Sequence, residues 1–459
     1  MKESKSMLEL LPVEAIQAIQ CLTENVPDLL SIILTCKATY IAFLSAEQLI
    51  LKQVLTDEIG SEFLSEALLT ASISRQAPVR DDVLDEYDNY FVENGRNIEL
   101  KAYSNLRLCD ALFLSKLHFH VVYFTNDFIS KAFASSIFTK NIPIAMWQLP
   151  ASDEEKRRIQ RTFYHFQIYC CVFYGGFSDH LNLDQNRIFF NHFSVWENEQ
   201  LACVHDYMFR IIAPGFDELV GHDVEWAERR MQYASFDDSE YIEPLIARGL
   251  FAIRDMLEAK SYEQICKAYC QDSPKHSSHL LDHGLRNSTD GSGEDELYHW
   301  LEDYSNEDDD KYVNKSVWCD DDDDKGPELV WRWAHQLFNS IEFVFCDKHK
   351  FEREWGYVMW DHSRLLELRV MENEWKMTED AENGRGSRPP KESMDRREKI
   401  YLAGGRGWWT AEDESKVVWP HGCAPWDKPK EPDRWDSKDG RSIDEAKEFL
   451  KKLKLPTLR

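Results

Sequence analysis

The sequence predicts a mostly α-helical protein: short N-terminal helices, an all-α body, an acidic disordered insert and an irregular C-terminal tail. Three observations predict it. Apolar residues recur at spacings of three and four in several separate segments, helix-capping signatures open two of them, and the polar residues concentrate in long interruptions instead of alternating. With 459 residues, 43% hydrophobic and 13% aromatic, the chain can fill a sizeable core divided among about two or three domains.

Residues 8 to 44 read as two short amphipathic helices. Pro12 opens the first, where a missing N–H costs nothing, and Ile16, Ile19 and Leu22 share one side of it. Pro27 and Asp28 restart the chain. Leu29, Leu30, Ile33 and Leu34 then form a second apolar face, followed by Cys36 and Tyr40. From about 47 to 150 helical patterns alternate with polar joints. The clearest segment sets Leu114, Leu117, Val121, Phe124 and Phe128 on one helix face, although its HFHVVYF stretch also has the composition of a strand.

Ser152 with Glu155 is a capping-box pattern, in which each side chain satisfies an orphan backbone donor. It opens a helix whose stripe is Ile159, Phe163, Phe166, Cys170 and Phe173. Ser194 with Glu197 repeats the pattern before Leu201, Val204, Met208 and Ile211. A further helix follows Pro244 and buries Ile246, Leu250, Ile253 and Leu257. No fixed-period repeat runs through these segments, so a solenoid is not expected.

Between 271 and 327 the composition changes. Residues 301 to 324 hold eleven Asp and Glu against two Lys, too little apolar surface to offset the entropy of ordering. The segment is expected to be a mobile insert, with Tyr298, Trp300 and Tyr304 supplying at most one docked turn. Residues 328 to 375, aromatic-rich, are expected to form helices that complete the body. From 376 onward Pro389, Pro390, Pro420, Pro425, Pro429 and Pro432 punctuate an irregular tail, tacked down by Trp408, Trp409, Trp419 and Trp426 and ending in a short helix at about 442 to 453. The expected division is therefore 1–48, 49–270, 271–327, 328–375 and 376–459.

The net charge of −28 repels phosphate backbones and anionic headgroups, which argues against nucleic-acid and membrane-surface partners. Eleven scattered cysteines, such as Cys170 and Cys171 in YCCVFY, read as reduced thiols. Pro12 and Glu14 interrupt any secretory core, and no segment is apolar for the length of a membrane span. A cytoplasmic or nuclear location is expected, and Asn287-Ser288-Thr289 is an incidental match to the glycosylation pattern.

Motifs that carry chemistry are missing. No phosphate loop occurs, and Gly404, Gly405 and Gly407 around Arg406 read as a flexible loop. Ser178, Asp179 and His180 are adjacent in sequence, whereas a triad is assembled across a fold; they read as a helix-ending turn. Cys266 with Cys270, His118 with His120, and Asp320 to Asp324 match no established metal-site spacing. The cysteines are expected to face the core and the two histidines the polar side of a helix. Trp360, Asp361 and His362 read as a buried tryptophan beside helix-surface charges. No cofactor, metal or catalytic activity is expected.

One resemblance is informative. The run LELLPVEAIQAIQCL, then PDLLSIILTCKATY, resembles an F-box in order and spacing. The family's Leu-Pro-x-Glu opening falls on Leu11, Pro12 and Glu14, its first-helix apolar positions on Ile16, Ile19 and Leu22, its Asp-Leu-Leu on Asp28, Leu29 and Leu30, and its Cys-Lys on Cys36 and Lys37. The resemblance implies that Leu11, Pro12, Ile16, Ile19, Leu22, Leu29, Leu30 and Leu34 dock on a Skp-type adaptor. That adaptor links such proteins through a cullin scaffold to a ubiquitin-charged conjugating enzyme, while the body selects a protein client. Trp196–Ile212 and Trp355–Leu365 resemble, more loosely, segments of the large F-box-like proteins of fungi. The alternative is a helical scaffold outside ubiquitin pathways whose acidic insert engages basic partners. Exposure of Ile16, Ile19, Leu29 and Leu30 discriminates the two.

Overall fold

A computed structural model describes residues 8–75, 106–135, 150–173, 185–228, 231–234, 241–270, 280–288, 322–335, 344–376 and 388–420. Among these residues the protein is mostly helical, as predicted. The chain divides into two compact units, the first from residues 1–217 and 234–386, the second from 218–233 and 387–459.

The first unit begins with a 3-10 turn, Leu8–Leu10, and helices α1 (Val13–Cys21), α2 (Val26–Ile33), α3 (Lys37–Ser45), α4 (Glu47–Ile59) and α5 (Leu64–Arg75). The expected pair of helices is thus a trio. Cys36 takes an extended backbone (φ −158°, ψ 168°) and its N–H donates to Thr39 Oγ1 at 3.3 Å, which ends the second helix and starts a third. Asn25 opens α2 by accepting from the Asp28 N–H at 2.8 Å. Glu58 of α4 accepts from the Val26 N–H at 3.0 Å and also from Ser115, tying this layer to the helix that carries Ser115. The N-terminal helices therefore share a core with residues beyond the expected boundary at 48.

The helix bearing Ser115, α6 (Leu108–Ala134), carries all five predicted core residues and runs straight through HFHVVYF. His118 and His120 are not on its polar side. His120 is buried with its ring edge-on to Phe251 at 4.9 Å, and His118 Nδ1 lies 2.9 Å from the Tyr164 hydroxyl. α7 (Asp153–Phe173) opens on the predicted capping box, with Ser152 N–H to Glu155 Oε2 at 2.8 Å and Glu155 N–H to Ser152 Oγ at 3.0 Å. After the short α8 (Gln185–Ile188), α9 (Val195–His222) opens on the second box, Ser194 N–H to Glu197 Oε2 at 2.7 Å. The faces predicted for α7 and α9 are buried. Phe163 of α7 packs against Phe124 at 6.0 Å, Phe128 at 6.4 Å and Tyr207 at 6.0 Å, so one ring joins three helices.

The boundary between the units falls within α9. Beyond it comes α10 (Val224–Glu228), in the second unit, and the first unit resumes with α11 (Glu243–Ile246), α12 (Gly249–Glu258), α13 (Tyr262–Tyr269) and α14 (Leu281–Arg286). The single helix expected after Pro244 is broken at Gly249, whose φ of +79° suits glycine; Gln167 Oε1 accepts from the Leu250 N–H at 2.8 Å there. Leu257 is consequently only half-buried and Met256 takes the core position. On α13, Cys266 is half-buried and Cys270 exposed, not core-facing, because Ala268 and Tyr269 form the inward side.

Where the acidic insert was expected, Leu281 and Leu285 of α14 are buried, and Asp322 forms a two-pronged pair with Arg158 at 2.8 and 3.0 Å. Local composition conceals both because a distant guanidinium and a distant core supply the ordering energy. α15 (Gly326–Ala334), α16 (Lys350–Glu354) and α17 (His362–Glu367) complete the unit, with Trp360 buried as expected and Trp331, Trp355 and Trp375 buried as well. Asp361 is not a mere surface charge. It accepts from Ser152 Oγ at 2.5 Å and meets Arg158 at 3.2 Å.

Within the segment expected as an irregular tail, residues 388–420 are ordered in the second unit. α10 (Val224–Glu228) and α18 (Lys391–Leu402) pack beside an antiparallel pair, β1 (Arg406–Gly407) and β2 (Val417–Val418), in the register Arg406 to Val418. Its core is Val224, Ile400, Trp409 and Val417, with Tyr401 and Trp419 against it. Arg397, buried, donates to the carbonyls of Val220 at 2.9 Å and Asp223 at 2.8 Å, satisfying acceptors at the C-terminal end of α9. Where a flexible loop was expected, Gly404 at φ +92° ends α18, its N–H donating to the Tyr401 carbonyl at 2.9 Å, and Gly407 at φ +96° lies in β1. Ser178 to His180, Tyr298, Trp300, Tyr304, Asp320, Asp321, Trp426 and the helix expected at 442 to 453 lie outside the described residues.

Candidate docking surface

The first three helices are apolar on two sides, and the packing consumes one of them. On α1, Ile16 and Gln20 lie one turn apart and face inward. Gln20 Nε2 donates to the Thr39 carbonyl at 2.9 Å, and Gln17 Nε2 to the Ala42 carbonyl at 3.0 Å and Ser45 Oγ at 2.9 Å. These two amides fix α1 on α3. Val26, Leu29 and Ile33 are the inward residues of α2, and Thr39, Ala42 and Phe43 those of α3.

The apolar residues of the opposite faces remain outside. Ile19 and Leu22, three apart, project from α1; Tyr40, Ile41 and Leu44, at spacings of three and four, project from α3. Leu34 stands at the end of α2, while Leu8, Leu10, Leu11 and Val13 stand on and beside the first turn, and Leu49 on α4. Of the sixteen large apolar residues that are exposed among the described residues, eleven lie between Leu8 and Leu49. Scattered single residues of this kind are ordinary on a protein surface; concentration in one small layer marks an interaction surface. Leu22 is 82% exposed and Leu34 73%, so a partner that covered them gains roughly 1.5–3 kcal/mol from each before ordering costs.

The residues that the F-box resemblance assigns to the adaptor divide. Leu11, Pro12, Ile19, Leu22 and Leu34 are exposed and Leu30 is half-buried. Ile16 and Leu29 are sealed in the protein's own core, so they hold the layer together and leave the candidate surface. Tyr40, Ile41 and Leu44 enter it. Sequence periodicity hides them, because residues 36 to 44 read as the trailing end of the second helix.

A second convergence of ionisable groups lies deep in the first unit. Arg353 donates through Nε to Asp206 at 2.7 Å and through Nη1 to the Cys346 carbonyl at 2.7 Å, with Glu199 at 3.5 Å. His205 sits between Asp206 at 3.1 Å and Glu243 at 2.8 Å. Glu199 also accepts from the N–H of Phe345, at 2.7 Å, a residue held at φ +58°. Each head group is engaged by another member, which is the arrangement of a structural chain of charges. Burial pushes the Glu199 carboxyl up to about 7 despite Arg353. For His205 burial opposes the charge, but the Glu243 and Asp206 carboxylates carry it up to about 10. A histidine raised from its unfolded 6.5 contributes stability that is full below pH 6.5 and lost as pH rises through about 10. Denaturant titrations at pH 7 and pH 10 should therefore show a larger loss of stability for the parent protein than for His205→Asn; equal losses would remove His205 as the cause.

Among the described residues, no group of three or more His, Cys, Asp or Glu side chains is placed to hold a metal ion, and no helix is long and apolar enough to cross a membrane. No protein-family model matches the chain, no curated protein sequence matches it, and no solved structure matches it. The functional reading accordingly rests on these residues themselves.

Proposed function

We propose that this chain is the substrate-recognition subunit of a Skp-cullin-F-box type ubiquitin ligase. The outward faces of α1 and α3, with the ends of α2, dock the Skp-type adaptor, and the helical body holds a protein client. The chain transfers nothing itself; it raises the effective concentration of client lysines near an enzyme bound elsewhere in the assembly. The observation that carries this reading is the concentration of exposed large apolar residues on the small layer whose sequence resembles an F-box. The resemblance supplies the identity of the occupant, and the apolar surface supplies a reason for any occupant to bind.

Pull-down of a purified Skp-type adaptor by the full chain tests it, comparing wild type with the combined Leu22→Asp, Leu34→Asp and Leu44→Asp variant. All three side chains are exposed in the free protein, so their carboxylates stay solvated and the fold is retained. Desolvating them in an interface costs several kcal/mol, and retention should be abolished in the variant. Failure of the wild-type chain to bind, or undiminished binding by the variant, would overturn the proposal.

A further inference from the structure

Within the first unit the described residues leave a cleft of about 350 Å³, walled by Glu62, by α7, by the first two turns of α9 and by residues 322–328. That size lies at the low end for ligand sites and holds one side chain or a small molecule. Seven carboxylates and four cations line it, so its charge balance is acidic.

Internal pairing takes three of the four cations, leaving Lys325 exposed, and Arg332 meets one of the acids, Glu328, at 3.0 Å. Arg158 is taken by Asp322 and Asp361, Arg161 meets Glu66 at 3.3 Å, and Arg157 pairs with Glu154. The carboxylates of Glu62 and Asp323 have no such engagement among the described residues, and both stand in contact with solvent.

The floor offers acceptors. His165 is only 8% exposed and makes no hydrogen bond among the described residues; its ring rests on Phe193 at 4.5 Å. Burial, reinforced by Arg161, pushes it down to about 3, so it is a neutral imidazole with a lone pair available at physiological pH. Gln200, 6% exposed, donates its Nε2 to the Val358 carbonyl at 3.0 Å, which leaves its Oε1 uncommitted among the described residues. Trp196, half-buried, adds an aromatic wall. A donor arriving from outside finds both acceptors at the floor.

Carboxylates at the mouth, acceptors at the floor and an aromatic wall match a group that is cationic, flat or slender, and rich in N–H donors. We infer that this cleft binds the guanidinium or ammonium head of an arginine or lysine side chain presented by a protein segment. The site is independent of the adaptor reading and its test contains no adaptor.

Isothermal titration of the full chain with a short capped Gly/Ser peptide bearing one central arginine tests it. The comparison ligands are the same peptide with citrulline in that place, which keeps the shape and removes the charge, and free arginine. Binding of the arginine peptide should be about tenfold tighter than that of the citrulline peptide. It should weaken about tenfold in the Glu62→Gln, Asp323→Asn double variant. A control pair of exposed acids outside the cleft, Glu24→Gln with Asp255→Asn, carries the same charge change and should leave the affinity unaltered. Equal weakening in the control pair would reduce the effect to net charge and overturn the site. So would absence of binding by the wild-type chain. Free arginine binding as tightly as the peptide would overturn the polypeptide source.

Discussion

Arg353→Ala is expected to destabilise the first unit by about 3–5 kcal/mol, because removing one partner of a buried ion pair leaves the others charged and dry. Arg353 is the cation between Asp206 and Glu199, and its Nη1 also holds the Cys346 carbonyl. Its loss takes a donor from three buried acceptors at once. Arg369→Ala is the control. That guanidinium meets Glu372 at 3.6 Å with both side chains largely in water, and such pairs contribute about 0–1 kcal/mol. Urea denaturation followed by circular dichroism separates the two by their midpoints. A midpoint for Arg353→Ala as high as for Arg369→Ala would show that the buried chain of charges is not what holds residues 345 to 353 on α9.

The second large effect belongs to Phe163. Its ring meets Phe124, Phe128 and Tyr207, and truncation to alanine opens a cavity where α6, α7 and α9 meet. The expected cost is about 3–5 kcal/mol, made of lost transfer energy and the cavity left behind. Phe119→Ala, on the same layer of helices but exposed, should stay within about 0.5 kcal/mol of the parent. Thermal unfolding of the two variants gives the comparison directly. Near-equal midpoints would mean that the three helices are held together elsewhere.

The features legible in the sequence are local ones, and the hidden features are those settled over long range. Both capping boxes are legible because a box is complete within four residues, and the buried stripes of α6, α7 and α9 because one helix displays its own periodicity. α3 escapes notice because its cap is Cys36, outside the usual Ser, Thr, Asp and Asn set, with Thr39 supplying the hydroxyl. The hairpin at 406 to 418 is concealed by glycines that read as looseness, although Gly404 ends α18 and Gly407 lies in β1, both at positive φ. The pairings Arg158 with Asp322 and Arg353 with Glu199 join residues more than 150 apart, and nothing local distinguishes those arginines from surface ones.

The candidate docking surface is half legible for a related reason. Ile16 and Ile19 are both apolar and three residues apart, and a helix with apolar residues on two sides does not declare which side its neighbours will take. Gln17 and Gln20 decide it, by hydrogen bonds to carbonyls on α3 that no pattern in α1 announces. Hence Ile16 lies inside and Ile19 stays out. The same ambiguity leaves Leu29 in the core and Leu34 in solvent.

Hydrogen–deuterium exchange of the full chain, alone and saturated with a Skp-type adaptor, tests the central claim most directly. The account predicts slowed exchange across residues 8–22 and 34–45, with α6 and α9 unchanged; a complex that forms without protecting those segments, or that protects only the body, would contradict it.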